Sequence, residues 1–403
     1  MYRPREYFFA ALFLLFTFGL YQRELNNGIR TFIVNRNPAS VFFTSSISSG
    51  DIRTRYSRGQ QVRVLIVPGH DNEYFGTSYK NLVEGDMTLK LGTRLAELLK
   101  NDPKLSVTVT RDATWYTPQF ANYFNTNKEG ILAFINAHRD LMASLVDSNI
   151  VNSYENVRHN TAPSDVIYRL YGINKWANDN KMDIVLHVHF NDYPRRKNVA
   201  GEYKGFVIFV PERQYSNAVA SKDIAHILYN RLVAVYASSD QPREAQGVTE
   251  DQELIAVGAN NTVDGAAILT EYGYIYEPEF QDQNIQNIVL NELAFQTSQA
   301  VEEYVSGVQR PFTSTLLPHR WNTNIEKGAK YNPDILSMQF ALSRKGLYPP
   351  PGKDRYDCSL TGNFGDCTAT ALAAFQKQQG INAESGFVGP RTREALNSLF
   401  GTE

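Results

Sequence analysis

Residues Val64–Glu84 read VLIVPGHDNEYFGTSYKNLVE. The apolar run Val64, Leu65, Ile66, Val67 stops at Pro68-Gly69, the pattern of a buried strand that ends in a turn. His70 follows at once, just past the C-terminal end of that strand, where open α/β sheets keep their ligand crevice. Glu84 stands after a polar, Gly-containing loop at the start of an amphipathic helix. Leu91, Leu95, Leu98 and Leu99 give that helix, expected over Gly85–Leu99, its apolar stripe.

An imidazole and a carboxylate at the edges of two rigid elements make half of a possible zinc site. Met182–Asp192, MDIVLHVHFND, supplies the rest: a second apolar strand carrying His187 and His189. Catalytic zinc commonly takes three protein ligands of the two-His, one-Glu type and leaves a position for water. A third strand-like run, Ala266–Tyr274 (AAILTEYGY), carries Glu271. A carboxylate beside zinc-bound water can act as its general base.

PGHDNEYFG…LVEGD, then LHVHFND, then ILTEYGYIYEPEF, in this order over about Val62–Val305, resemble the zinc-dependent N-acetylmuramoyl-L-alanine amidases of bacterial cell walls. The resemblance implies that His70, Glu84 and His189 ligate Zn2+ and that Glu271 is the catalytic carboxylate. His189 is preferred to His187 because the family's ligand precedes a small or apolar residue and then Asn, here Phe190-Asn191. His187, two residues away, points to the same face and reads as a residue that orients substrate or stabilises charge, or as a ligand in place of His189. Asn191 and Arg111 read as positioning substrate or bracing the loop. Glu277 and Glu279 are weaker candidates for the role of Glu271. The activity implied is hydrolysis of the amide between N-acetylmuramic acid and L-alanine. A zinc carboxypeptidase or endopeptidase on stem peptides, or a non-catalytic wall-binding scaffold, are the competing readings.

Strand and helix signals alternate through this region: Leu105–Thr110 (strand), Val166–Asn178 (helix), Ile184–Phe190 (strand), Gly205–Val210 (strand), Ser221–Tyr236 (helix), Leu254–Val257 and Ala266–Thr270 (strands), Asn287–Val305 (helix). They predict an α/β fold with a twisted, mostly parallel sheet flanked by helices. Residues 115–163 form an insertion relative to the family. Its Ile131, Phe134, Ile135, His138, Leu141, Met142 and Leu145 share one helix face. It reads as a lid or a site for an activator protein, or as an elaboration packed on the outside. His138 and His159 read as structural or solvent-facing, and His226 as a core or boundary residue.

The ends of the chain carry other signals. Arg3 and Arg5 precede the uncharged run Tyr7–Tyr21, so residues 1–23 read as a signal anchor or a signal peptide, either of which exports the rest. That run is about 15 residues, short for a span of roughly 20. Residues 24–61 read as a linker and 306–331 as a second one, with His319 unassigned. In 332–403, LTGNFGDCTATALAAFQKQQGI and SGFVGPRTREAL resemble the three-helix peptidoglycan-binding module of wall hydrolases, implying a small all-α domain that holds peptidoglycan. Cys358 and Cys367 read as a disulfide or as two small core residues. Net charge is −2, which gives no footing for nucleic acid. The partners expected are peptidoglycan, a membrane through the N-terminal segment, and an activator on the insertion.

Overall fold

The computed structural model describes residues 48–153, 162–193, 199–258, 262 and 265–401. Six strands form one sheet: β1 (Val62–Pro68), β4 (Leu105–Val109), β5 (Ile184–Asn191), β6 (Val207–Pro211), β7 (Val248–Asp251) and β8 (Ala266–Tyr274). Their order is β4-β1-β5-β8-β6-β7. Every pairing is parallel except β6 with β8. A two-stranded ribbon, β2 (Ser78–Tyr79) with β3 (Leu82–Val83), lies in the loop after β1.

The alternation of side chains along each strand divides the core into two layers. Val64 and Ile66 of β1 face one layer, and Leu65 and Val67 face the other. The first layer is covered by α2 (Glu84–Leu99), α6 (Ala218–Leu232) and α7 (Gln283–Ser306). Leu91, Leu95 and Leu99 of α2 are fully buried there, each stabilising the fold by roughly 1.5–3 kcal/mol. The second layer is covered by α3 (Pro118–Thr126), α4 (Lys128–Asp147) and α5 (Ser164–Asp179). The insertion therefore packs as part of the sheet's second cover, with Phe120, Phe124, Ile131 and Ile135 against Tyr171 and Trp176.

Helix α1 (Ser49–Ser57) falls within the stretch read as linker. Ser48 and Asp51 close a capping box at its start. Ile52 is buried, Arg55 pairs with Asp183, and Arg53 donates to Tyr304 O at 3.1 Å. Leu254–Val257, expected as a strand, is a turn. Asp251 Oδ1 accepts from the N–H groups of Glu253 and Leu254 (2.7 and 2.6 Å) and ends β7 there. The apolar run reflects burial of Ile255 and Val257 in the second layer. His226 is exposed on α6, between the buried Ala225 and Leu228, so it is neither a core nor a boundary residue.

The C-terminal residues add α8 (Pro333–Arg344), α9 (Asp366–Gln378) and α10 (Pro390–Phe400). Cys358 and Cys367 are disulfide-bonded. The stretch before α8 buries Leu317, Trp321 and Ile325, and His319 Nε2 lies 2.9 Å from Asp334 Oδ1. Phe340, Leu372 and Phe375 belong to the same continuous apolar cluster as the α2/α7 layer. The described residues, from Ser48 to Gly401, fall in one compact unit. Among the described residues no helix is long and apolar enough to cross a membrane. The run Tyr7–Tyr21 and His159 lie outside the described residues.

Candidate metal centre

His70, Glu84 and His189 come from three separate segments and meet at the C-terminal edge of the sheet. Their donor atoms all lie within 4.8 Å of one another. His70 Nε2 is 2.9 Å from Glu84 Oε2, and His189 Nδ1 is 3.2 Å from Glu84 Oε1. The two imidazoles are edge to face, with centroids 5.1 Å apart.

Local backbone geometry sets each side chain. His70 has φ 64°, a left-handed conformation uncommon for a residue with a Cβ. Glu84 opens α2, and its carboxylate accepts backbone N–H groups from Phe190 (to Oε1) and Thr77 (to Oε2), both at 3.1 Å. Two glycines let the three groups close up. A Cβ on Gly69 would stand 2.6 Å from His189 Nε2, and one on Gly76 (φ 77°) would stand 2.6 Å from His70 Cδ2 and nearer still to Glu84 Oε2. Burial alone would push the Glu84 carboxyl up, but hydrogen bonds from His189 and His70 outweigh it and hold the group well below the usual carboxylate range. Burial pushes His189 down against the pull of Glu84, which keeps a lone pair free. Two imidazoles and one carboxylate, crowded so that only glycine fits beside them, suit a divalent cation such as zinc.

The strand register sets Glu271 of β8 opposite His189. Its Oε2 is buried, with no hydrogen-bond partner among the described residues. Burial, then the charges of Glu84 and Glu244, raise its pKa well above the ordinary carboxylate value. Asn191 Nδ2 donates to both oxygens of Glu244 (3.1 and 3.2 Å), which also accepts from Ser239 Oγ and Tyr274 Oη. Arg111 is buried and braces the loop: it donates to the carbonyls of Pro68, Gly69 and Gly85 at 3.1, 3.0 and 2.6 Å. His187 is 2 % exposed, and neither ring nitrogen has a hydrogen-bond partner among the described residues. Burial, with His189 beside it, pushes its pKa down to about 3.

Glu277 and Glu279 are not part of the cluster. Both line a small cavity against Arg355, Ser359 and Leu360 of the C-terminal region. Glu277 accepts from the N–H groups of Gly205 and Tyr274. In the sequence Gly69 reads only as part of the turn that ends β1 and Gly76 only as a loop glycine, not for the close packing that they permit beside the three donors. Glu244 carries no local signal, its partner Asn191 lying in a distant segment.

Residues 64–303 match the N-acetylmuramoyl-L-alanine amidase family, and residues 331–396 match a peptidoglycan binding domain. No curated protein matches the chain. Among solved structures it is similar to an N-acetylmuramoyl-L-alanine amidase from Clostridium difficile 630, with 17% identity, 61% of this chain and 97% of that one covered, and a TM-score of 0.38. It is also similar to the amidase AmiC2 of Nostoc punctiforme (16% identity, 60% and 96% covered, TM-score 0.36). A third is the CwlD amidase from Clostridioides difficile, solved in complex with the GerS lipoprotein (15% identity, 62% and 100% covered, TM-score 0.39).

Proposed function

The chain belongs to the N-acetylmuramoyl-L-alanine amidase family and carries a peptidoglycan binding domain, and from that premise we propose that it is a zinc-dependent peptidoglycan amidase whose ligands are His70, Glu84 and His189. The observation that carries the metal is the convergence of these three donor groups within 4.8 Å. Bound there, zinc would lower the pKa of a water molecule towards about 7 and polarise the scissile carbonyl.

The rest falls to the chain's own residues. Glu271 takes the proton of the attacking water and returns it to the departing amino group of L-alanine. Its Oε2, buried and without a partner among the described residues, supports this role, since an oxygen bonded elsewhere would be a poorer acceptor. Asn191, held by Glu244, orients the stem peptide beside it. Arg111 keeps the His70 loop in register by binding three of its neighbouring carbonyls.

The proposed organisation is an N-terminal anchor or export segment (1–23), a linker that ends at α1, a catalytic domain that takes in α1 and runs to 305, a connection (306–331) that packs on the core through Leu317, Trp321 and Ile325, and a wall-binding domain (332–403). The uncharged run Tyr7–Tyr21 behind Arg3 and Arg5 supports action outside the cytoplasm at the membrane surface. The insertion 115–163 is the proposed contact for an activator protein.

The test is digestion of purified peptidoglycan, with the released fragments identified by mass spectrometry. Free stem peptides with an intact L-alanine amino end are expected. Their release should be lost with chelator, restored by zinc, and reduced on the order of 10²–10⁴-fold by Glu271→Ala. Shortened peptides still joined to sugar would refute the bond assignment, and full activity in chelator would refute the metal.

A further inference from the structure

Arg169 of α5 is outside the metal cluster and 7% exposed. It nevertheless pairs with three carboxylates. Its Nη1 is 3.1 Å from Asp71 Oδ2, and its Nη2 is 2.8 Å from Glu73 Oε2 and 3.1 Å from Asp165 Oδ2. Its guanidinium carbon lies 5.3 Å from the ring centroids of both Tyr74 and Trp115. Such a planar cation can bridge several acceptors and stack on aromatic faces at once, which an ammonium cannot.

The contacts converge on one short segment. Each of the four residues after His70 is tied to α5 or to residues 113–116. Asp71 is held by Arg169 and by Tyr116 Oη at 3.2 Å. Asn72 Nδ2 donates to Thr114 O. Glu73 pairs with Arg169, and Tyr74 Oη donates to Asp165 at 2.8 Å. Asp71 in turn shapes the loop, its Oδ1 accepting the N–H groups of Glu73 and Tyr74 at 2.9 and 2.8 Å.

Among the three proposed ligands, His70 most needs such support. Glu84 stands on a helix and His189 on a strand paired on both sides. His70 has φ 64°, and a strained backbone of this kind persists only where its surroundings over-determine it. We propose that Arg169 is a positioning residue for His70: through Asp71 it fixes the loop that aims the imidazole, and it thereby joins the start of the insertion and the helix that follows it to the metal centre. This rests on the zinc reading above.

The experiment measures zinc affinity of the full chain by competition with a chromogenic chelator, beside a thermal melt. Wild type is expected to bind one zinc per chain. Arg169→Met should weaken binding about 10- to 100-fold, the usual effect of losing a group that supports a ligand. Arg169→Lys should fall between the two, since it keeps the charge and loses the fork. Asp71→Asn, which keeps the oxygen that accepts the loop N–H groups, should weaken binding similarly. The double variant should be no weaker than Arg169→Met alone, because both act through one contact. Unchanged affinity in folded Arg169→Met overturns the inference. Should that variant not fold, unchanged affinity in Asp71→Asn overturns it instead. A wild type that binds no zinc overturns the underlying metal reading, a result distinct from either.

Discussion

Gly76 shows how tightly the centre is drawn at the scale of single residues. Its φ of 77° and its approach to His70 and Glu84 leave no space for a methyl group. Gly76→Ala is expected to cost about 1–2 kcal/mol in backbone conformation alone and to displace one ligand. Zinc affinity should therefore fall at least tenfold, alongside a lower melting temperature. A variant with wild-type affinity, measured by chelator competition, would show that the ligands have slack the geometry denies. His70 and Glu84 were legible in the sequence because each stands at the edge of a strongly patterned element, and His189 because the family resemblance singled it out over His187 on the same strand. Arg169 was not. It sits on an ordinary amphipathic helix, and its partners Asp71 and Glu73 belong to a loop on the other side of the insertion.

At the scale of elements, the sheet and its main helices followed from hydrophobic period, and the misreadings share one cause. Leu254–Val257 is apolar because it is buried, yet an aspartate turn had already ended the strand. Helix α1 contributes little apolar surface, so its sequence looked like linker; capping and ion pairs hold it instead. In the insertion the reading of an outer elaboration agrees with the packing of α3 and α4 on the second core layer. Phe120 is fully buried, its ring centroid 4.6 Å from that of Trp176. Phe120→Ala should destabilise the protein by about 3–5 kcal/mol, read from the shift of the urea midpoint. A loss below about 1 kcal/mol, within the range of surface substitutions, would mean that the insertion packs loosely.

At the scale of the whole molecule, the contact between the catalytic and C-terminal regions carries its own electrostatics. Arg355 donates to the carbonyls of Ala234 and Val235 just past α6 (2.6 and 3.3 Å), and Lys204 to Tyr356 O at 3.0 Å. Burial pushes the pKa of Glu277 up to about 7, and that of Glu279 well above its ordinary value. A carboxyl raised on folding binds its proton more tightly in the native state, so stability falls as pH rises from the ordinary carboxylate range through about 7. Glu277→Gln keeps an oxygen for both backbone donors and removes the ionisation. Its melting temperature should gain on that of wild type across this window, by up to about 3 kcal/mol of stability. A constant difference from pH 4.5 to 7.5 would place the titration elsewhere. The sequence announced two regions by their motifs, but not this contact, because apolar residues that join two regions look like residues that fill either one.

That shared apolar cluster runs unbroken from the α2/α7 layer into α8 and α9. Grip and blade are thus cast in one piece. A blade on a loose cord could sweep many bonds around a single anchor point, whereas a blade fixed to its grip is confined to one offset from it. On the proposed function, reaching the next bond then requires letting go, and weakening the hold of the C-terminal region is expected to speed the digestion of long glycan strands, not slow it, as read from fragment release.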